Sequence, residues 1–210
     1  VELVRVEQLF AGVHLVHAQD AQGMLALIAV NKNDLDRSLA ERLKLEYART
    51  DYPVIAVSAR TGEGLEELRA RMRGKLCCMA GQSGAGKSSL LNALMGLQLE
   101  TGDISERIAR GKNTTRQVEL LEKDGLRVMD TAGFSLLETE RNLEPEKLKE
   151  RYPEFIPWEG KCRFRECLHD REPGCAVAEA VESGMVHPAR LERYRQMLSE
   201  IRESWKERYD

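Results

Sequence analysis

Gly81-Gln82-Ser83-Gly84-Ala85-Gly86-Lys87-Ser88 is a complete phosphate-loop pattern, lying between an apolar run and a helical pattern. Each residue type has a physical use there. Glycines let the backbone approach phosphate oxygens without a Cβ in the way. The loop N–H groups and the positive end of the following helix then face the anion. Lys87 supplies a point charge for the β and γ phosphates, and Ser88, with Ser89 beside it, brings hydroxyls; that of Ser88 is a Mg²⁺ ligand.

Three further motifs bear on the same nucleotide. Asp130-Thr131-Ala132-Gly133 ends a later apolar run, setting a carboxylate near the metal and Gly133 near the γ-phosphate. Between the two lies Gly111-Lys112-Asn113-Thr114-Thr115, whose hydroxyls, Thr115 or its neighbour Thr114, are candidates to sense γ-phosphate and Mg²⁺. Asn31-Lys32-Asn33-Asp34 reads the base. A carboxylate at Asp34 can accept from both the ring N–H and the amino group of guanine, a pair that adenine lacks. Lys32 lays its stem along the base, Asn31 ties this loop to the phosphate loop, and Ser58-Ala59-Arg60 offers the Ala59 N–H to the guanine carbonyl. GTP is the expected nucleotide. The base-reading motifs precede the phosphate motifs, the reverse of the usual GTPase order, so the chain reads as a circular permutation.

A second chemistry is written in Cys162, Cys167, His169 and Cys175. Three thiolates and one imidazole at this spacing suit one tetrahedral Zn²⁺ in a closed structural site. Lys161, Arg163 and Arg165 interleave with Phe164 around it, either as a solvated knuckle or as a contact for RNA backbone. Cys77 and Cys78 sit inside an apolar run and read as small core residues.

The elements that must position these residues follow from pattern. Leu25–Asn31, Pro53–Val57, Leu76–Ala80 and Leu126–Asp130 are short apolar runs without strict alternation, as in strands of a parallel sheet covered on both faces. Helical patterns lie at Leu39–Arg49, Leu65–Arg73 and from Lys87 to about Leu94, giving an α/β alternation. After Leu143 come prolines, the cysteine cluster and helical patterns at Ala176–Ser183 and Pro188–Arg208. The last has an apolar stripe of Leu191, Tyr194, Leu198, Ile201 and Trp205. Val13–His17 reads as a strand, yet about seven residues separate it from Leu25, too few for a parallel crossover. Either residues 1–23 belong to another structure, or chain is absent between about Gln19 and Met24.

The whole chain has 210 residues, 42% hydrophobic and 32% charged, with a formal net charge of -3. These values exclude collagen-like and fully disordered classes, and bulk charge cannot coat nucleic acid. No run reaches the roughly 18 apolar residues of a membrane span. Five cysteines, three of them at metal-ligand spacing, fit a reducing cytoplasm.

Taken together, GQSGAGKSSLLNAL (Gly81–Leu94), TGDIS (Thr101–Ser105), GKNTTRQVEL (Gly111–Leu120), DTAGF (Asp130–Phe134) and KCRFRECLHDREPGCAV (Lys161–Val177) closely resemble the bacterial RsgA/YjeQ family of circularly permuted GTPases. The resemblance runs from about Leu25 to the C-terminus. It implies a circularly permuted P-loop GTPase domain of α/β class over residues 24–141, then a small, mainly helical zinc-binding domain over 142–210. Residues 1–23 are read as a remnant of the family's N-terminal OB-type barrel, which contacts ribosomal RNA. The implied activity is GTP hydrolysis in late maturation of the small ribosomal subunit, stimulated by the subunit. The implied partners are the subunit and its rRNA, with Mg²⁺–GTP, GDP and one structural Zn²⁺ as bound groups. A cytoplasmic monomer is expected.

Three positions depart from other GTPases or from the family. Phe134 stands where Ras-type enzymes have a water-orienting glutamine, an apolar choice that the family is similar in making. Asn113 stands where the family has a histidine, and an amide can orient water but cannot take its proton. Ala132 replaces the family's usual proline. Lys87, Asn113 and Thr115 are the catalytic candidates. Two other readings carry different expectations: a GTP-dependent binding switch with little hydrolysis, favoured by Asn113 and Phe134, and an ATP-using enzyme, disfavoured by Asp34.

Overall fold

The structure, a computed structural model, describes residues 13–20, 23–81, 84–99, 118–131 and 143–206. Its described residues divide into two compact units, one of residues 13–43 with 52–131 and one of residues 44–51 with 143–206.

The first unit is built on a six-stranded sheet: β1 (Val13–Asp20), β2 (Gly23–Val30), β3 (Val54–Ala56), β4 (Leu76–Ala80), β5 (Val118–Lys123) and β6 (Leu126–Thr131), in the order β3-β2-β1-β4-β6-β5. The sheet is mixed, not wholly parallel as expected. β2–β3 and β4–β6 pair parallel, while β1 pairs antiparallel with both β2 and β4, and β5 antiparallel with β6.

β1 therefore lies in the middle of this sheet, where the sequence reading had set residues 1–23 apart. Its register with β2 runs from Val13↔Val30 to Asp20↔Gly23. An antiparallel neighbour needs only a hairpin. Asp20 and Gly23 face each other at the end of this pairing.

β5 is a second difference, since Val118–Lys123 mixes charge with leucine and was not foreseen. Its partner is fixed by Asp124 and Gly125, both at positive φ (51° and 78°), the turn that closes tight hairpins.

Helix α1 (Ser38–Glu46) starts where the Asp36 carboxylate accepts the Ser38 N–H at 2.8 Å. Its last residues, from Lys44, fall in the second unit. Helix α2 (Leu65–Met72) buries Leu65, Leu68 and Met72. It begins at Gly64, whose φ is 70° and where a Cβ would stand 2.0 Å from the Ala56 carbonyl oxygen. Helix α3 (Lys87–Met95) buries Leu90, Leu91, Leu94 and Met95. These faces meet Leu27, Ala29, Ile55, Cys77, Met79 and Val128 of the sheet in one core. Cys77 is wholly buried and Cys78 half-buried, because successive strand residues face opposite sides.

The second unit opens with two 3₁₀ turns, Pro145–Arg151 and Pro153–Trp158, each led by proline. Helices α4 (Ala176–Glu182) and α5 (Pro188–Lys206) follow. Leu191, Tyr194, Leu198 and Ile201 of the α5 stripe close on Leu148, Tyr152, Phe155, Val177 and Val186. Beneath them Arg190, 1% exposed, pairs with Glu154 at 2.6 Å and lies over the rings of Tyr47 and Tyr152 at 4.4 and 4.8 Å. Arg193 pairs with buried Glu46. Among the described residues no helix is long and apolar enough to cross a membrane.

Candidate nucleotide cleft and metal centre

Because β2 and β4 both run antiparallel to β1, they run parallel to each other. The C-terminal ends of β2, β3, β4 and β6 thus share one edge of the sheet, where open α/β sheets bind ligands. Asn31 follows β2, Ser58 lies just after β3, Gly81 follows β4 and Asp130 is the last residue but one of β6. Sequence segments about fifty residues apart thereby come together.

A cleft of about 530 Å³ opens there, lined by Asn31, Lys32, Asp34, Ala59, Gly86 and Ser89 together with Leu35 and Arg60. Asn31 is its hub and is 4% exposed. Its Nδ2 donates to the carbonyl oxygens of Ala85 (3.3 Å) and Gly86 (3.5 Å), while its Oδ1 accepts the N–H of Lys32 (2.8 Å) and of Ala59 (3.1 Å). Gly86 permits this approach: its φ is 93°, and a Cβ there would stand 2.8 Å from Asn31 Nδ2. Lys32, itself at φ 63°, donates from Nζ to the Gly84 carbonyl at 2.8 Å, so its stem runs beside the cleft.

Asp34 is held from two sides. The Ser58 hydroxyl donates to Oδ1 at 2.5 Å, and Arg60 donates to Oδ2 from Nε at 2.8 Å and Nη2 at 2.6 Å. The Ser58 bond first, and then the Arg60 bond, hold the carboxyl below the usual carboxylate range, so it is ionised at neutral pH. Ser58 is oriented in turn by the Thr61 N–H at 3.1 Å. The Ala59 N–H, expected to face guanine, is engaged by Asn31 in this structure. In the phosphate loop, Lys87 Nζ donates to the Gly81 carbonyl, and Ser88 and Ser89 lie half-buried on the first turn of α3. Arg69 of α2 steadies the far end of α3, donating to the Leu94 carbonyl from Nε at 3.1 Å and Nη2 at 2.6 Å. Gln82, Ser83, Asn113, Thr114, Thr115, Ala132, Gly133 and Phe134 lie outside the described residues.

The metal-ligand set converges in the second unit. One ligand atom from each of Cys162, Cys167, His169 and Cys175 lies within 4.8 Å of the others. His169 Nδ1 stands 3.6, 3.6 and 3.4 Å from the sulfurs of Cys162, Cys167 and Cys175. A tetrahedral ion with Zn–S near 2.3 Å and Zn–N near 2.0 Å would set N and S about 3.5 Å apart. The donor set therefore fits zinc in both chemistry and spacing. Two backbone N–H groups point at sulfur, His169 to Cys167 at 3.4 Å and Ala176 to Cys162 at 3.3 Å.

Burial pushes the Cys167 thiol up to about 12 and raises that of Cys175 too. Burial, followed by the Lys149 charge, lowers His169 and keeps it neutral. Glu172, missed in the sequence, organises this loop. Its oxygens accept the N–H of Leu168 at 2.9 Å and of Asp170 at 2.8 Å, bracketing His169, whose φ is 57°. Burial pushes the Glu172 carboxyl up, and these backbone bonds outweigh it, leaving it below its usual range.

Comparison with known proteins agrees with this geometry. The RsgA GTPase family description matches residues 6–140. The chain is 46% identical over 189 residues to a small ribosomal subunit biogenesis GTPase RsgA of Geobacillus kaustophilus, covering 88% of this chain and 64% of that protein. It is 42% identical to the protein of the same name from Caldanaerobacter subterraneus, covering 87% of this chain and 62% of the relative. The chain thus spans somewhat under two thirds of the length of these relatives. Among solved structures, YjeQ from Thermotoga maritima aligns with a TM-score of 0.69 at 40% identity, covering 83% of this chain and 59% of that one. YloQ, described as a circularly permuted GTPase, aligns at 0.63 and 34%, covering 83% and 56%. The chain belongs to the RsgA GTPase family.

Proposed function

We propose that this chain binds Mg²⁺–GTP, hydrolyses it, and acts in late maturation of the small ribosomal subunit, which stimulates the hydrolysis. The observation that carries the nucleotide reading is the Asn31 side chain. It holds the base-reading loop against the phosphate loop through Ala85 and Gly86 and sets Asp34 at the rim of the same cleft. The names of the relatives support the subunit as partner. The motif order and the likeness to YloQ support a circularly permuted GTPase domain over residues 24–141, joined to a zinc domain over 142–210.

In this reading Asp34 accepts the guanine ring N–H and amino group, Lys32 covers one face of the base, and Ser58 fixes the carboxylate. Gly81, Gln82, Ser83, Gly84 and Ala85 present backbone N–H groups to the phosphates. Lys87 leaves the Gly81 carbonyl and moves its charge onto the β and γ phosphates. Bound Mg²⁺ would offset phosphate charge, with Ser88 and Thr115 as its hydroxyl ligands and Asp130 nearby. Asn113 orients water by its amide, and Gly133 contacts the γ-phosphate. Catalysis then rests on positioning and charge, so turnover by the isolated chain is slow. The zinc set holds the loop of the second unit, whose basic and aromatic residues Lys161, Arg163 and Phe164 are offered to rRNA. A cytoplasmic monomer fits this role.

The test is phosphate release from GTP with and without purified small subunits. Stimulation of tenfold or more is the expected size of an ordering effect on this scale (about 1.4 kcal/mol of barrier). An unchanged rate overturns the coupling and leaves a GTP-dependent binding switch.

A further inference from the structure

We propose that Arg60 is a latch on the base-reading carboxylate, which an arriving guanine must displace. The proposal rests on reading the Asp34 cleft as the guanine site. A carboxylate offers about four acceptor positions, two on each oxygen. Oδ2 of Asp34 already takes two N–H bonds from Arg60, and Oδ1 takes the Ser58 hydroxyl. One position remains, on Oδ1. Guanine presents two donors side by side and needs one position on each oxygen, so Arg60 must give up at least one bond before the base can seat.

The exposures point the same way. The Asp34 side chain is 10% exposed and that of Arg60 is 73% exposed, so the guanidinium covers the carboxylate from solvent and is itself free to swing away. Ser58 differs. It is fully buried and held by the Thr61 N–H, and its bond leaves room on Oδ1, so it stays while Arg60 departs. Arg60 also lines the cleft itself, which places the exchange inside the site. The exchange swaps one pair of charge-assisted bonds for another on a single carboxylate. Asp34 thus remains satisfied whether the site is empty or filled, and the rate of guanine arrival depends on opening the ion pair.

Stopped-flow binding of a fluorescent GDP analogue tests this, using the full chain, Arg60→Met and Arg60→Lys. Arg60→Met keeps the stem and removes the fork. It should associate about fivefold faster at low salt, the scale of an exposed ion pair, with dissociation unchanged. Arg60→Lys, a point charge without the fork, should fall between. The gap between wild type and Arg60→Met should narrow as salt is raised, because screening weakens the pair in the wild type alone. A merely structural role for Arg60 would not produce that dependence. Equal association rates at low salt, or faster dissociation from Arg60→Met, overturn the latch. A parallel measurement with the adenine analogue separates the two levels. If the wild type binds both bases alike, the guanine reading falls and the latch with it. If guanine is preferred and Arg60→Met changes nothing, the latch alone falls.

Discussion

At the residue scale, Asp34 carries the choice of base. Replacing it with Asn keeps the shape but turns an acceptor into a donor facing the guanine amino group. The expected loss in GTP affinity is about 100-fold, near 3 kcal/mol, with little change for ATP. Equilibrium competition between the two nucleotides checks it. Glu172 carries the metal loop in a similar way. Glu172→Ala frees the N–H groups on both sides of His169, and zinc affinity should fall about 10- to 100-fold, read by competition with a chromogenic chelator. How far each residue was legible depended on the distance over which its role is encoded. The phosphate loop and the Cys162–Cys175 set declare themselves by local spacing, because neighbouring backbone must wrap one anion or one ion. Arg60, Glu172 and Arg69 look like any exposed charge in the sequence. The partners of Arg60 and Arg69 are set by the chain folding back, and for Arg69 the partner is a helix end 25 residues away. Glu172 acts locally, on N–H groups two and four residues before it, but a loop turn leaves no periodic mark in the sequence.

At the scale of elements, Gly64 is the position where backbone geometry is least forgiving. Gly64→Ala would put a Cβ against the Ala56 carbonyl at 2.0 Å, in a conformation already disfavoured for L residues. A loss of about 2–4 kcal/mol is expected, seen as a lowered midpoint of denaturant unfolding. The strand beside it, β3, is only three residues long, so displacing the start of α2 also disturbs the Ser58 that follows. Strands β2, β3, β4 and β6 and all five helices are legible in the sequence because short apolar runs and helical periodicity are local properties. The antiparallel placement of β1 was not, since direction is chosen by the partner strand. β5 was hidden by its charges, although the Asp124-Gly125 pair that ends it was a readable hairpin signal.

At the scale of the whole molecule, zinc binding and acidity are coupled. Burial holds the Cys167 and Cys175 thiols protonated well above neutral pH in the metal-free chain, while His169 is already neutral there. Zinc must therefore expel protons from the cysteines, and affinity rises with pH. Cys167 and Cys175 alone release two protons per ion, so affinity should change at least about 100-fold per pH unit near neutrality. Calorimetry in buffers of different ionisation heats counts those protons, and fewer than two would contradict the coupling.

The arginine pair of α5 has a consequence for anyone dividing the molecule. Arg190 and Arg193 hold Glu154, Glu46 and Tyr47, and the last two come from the stretch Lys44–Asp51, far back in the chain. A cut near residue 142, where the composition changes, would strand Tyr47 and Glu46 in the first fragment and buried Arg190 and half-buried Arg193 in the second. Neither half would be a finished folding unit. Separate fragments should be poorly soluble alone, and a peptide carrying residues 44–51 should restore the C-terminal half.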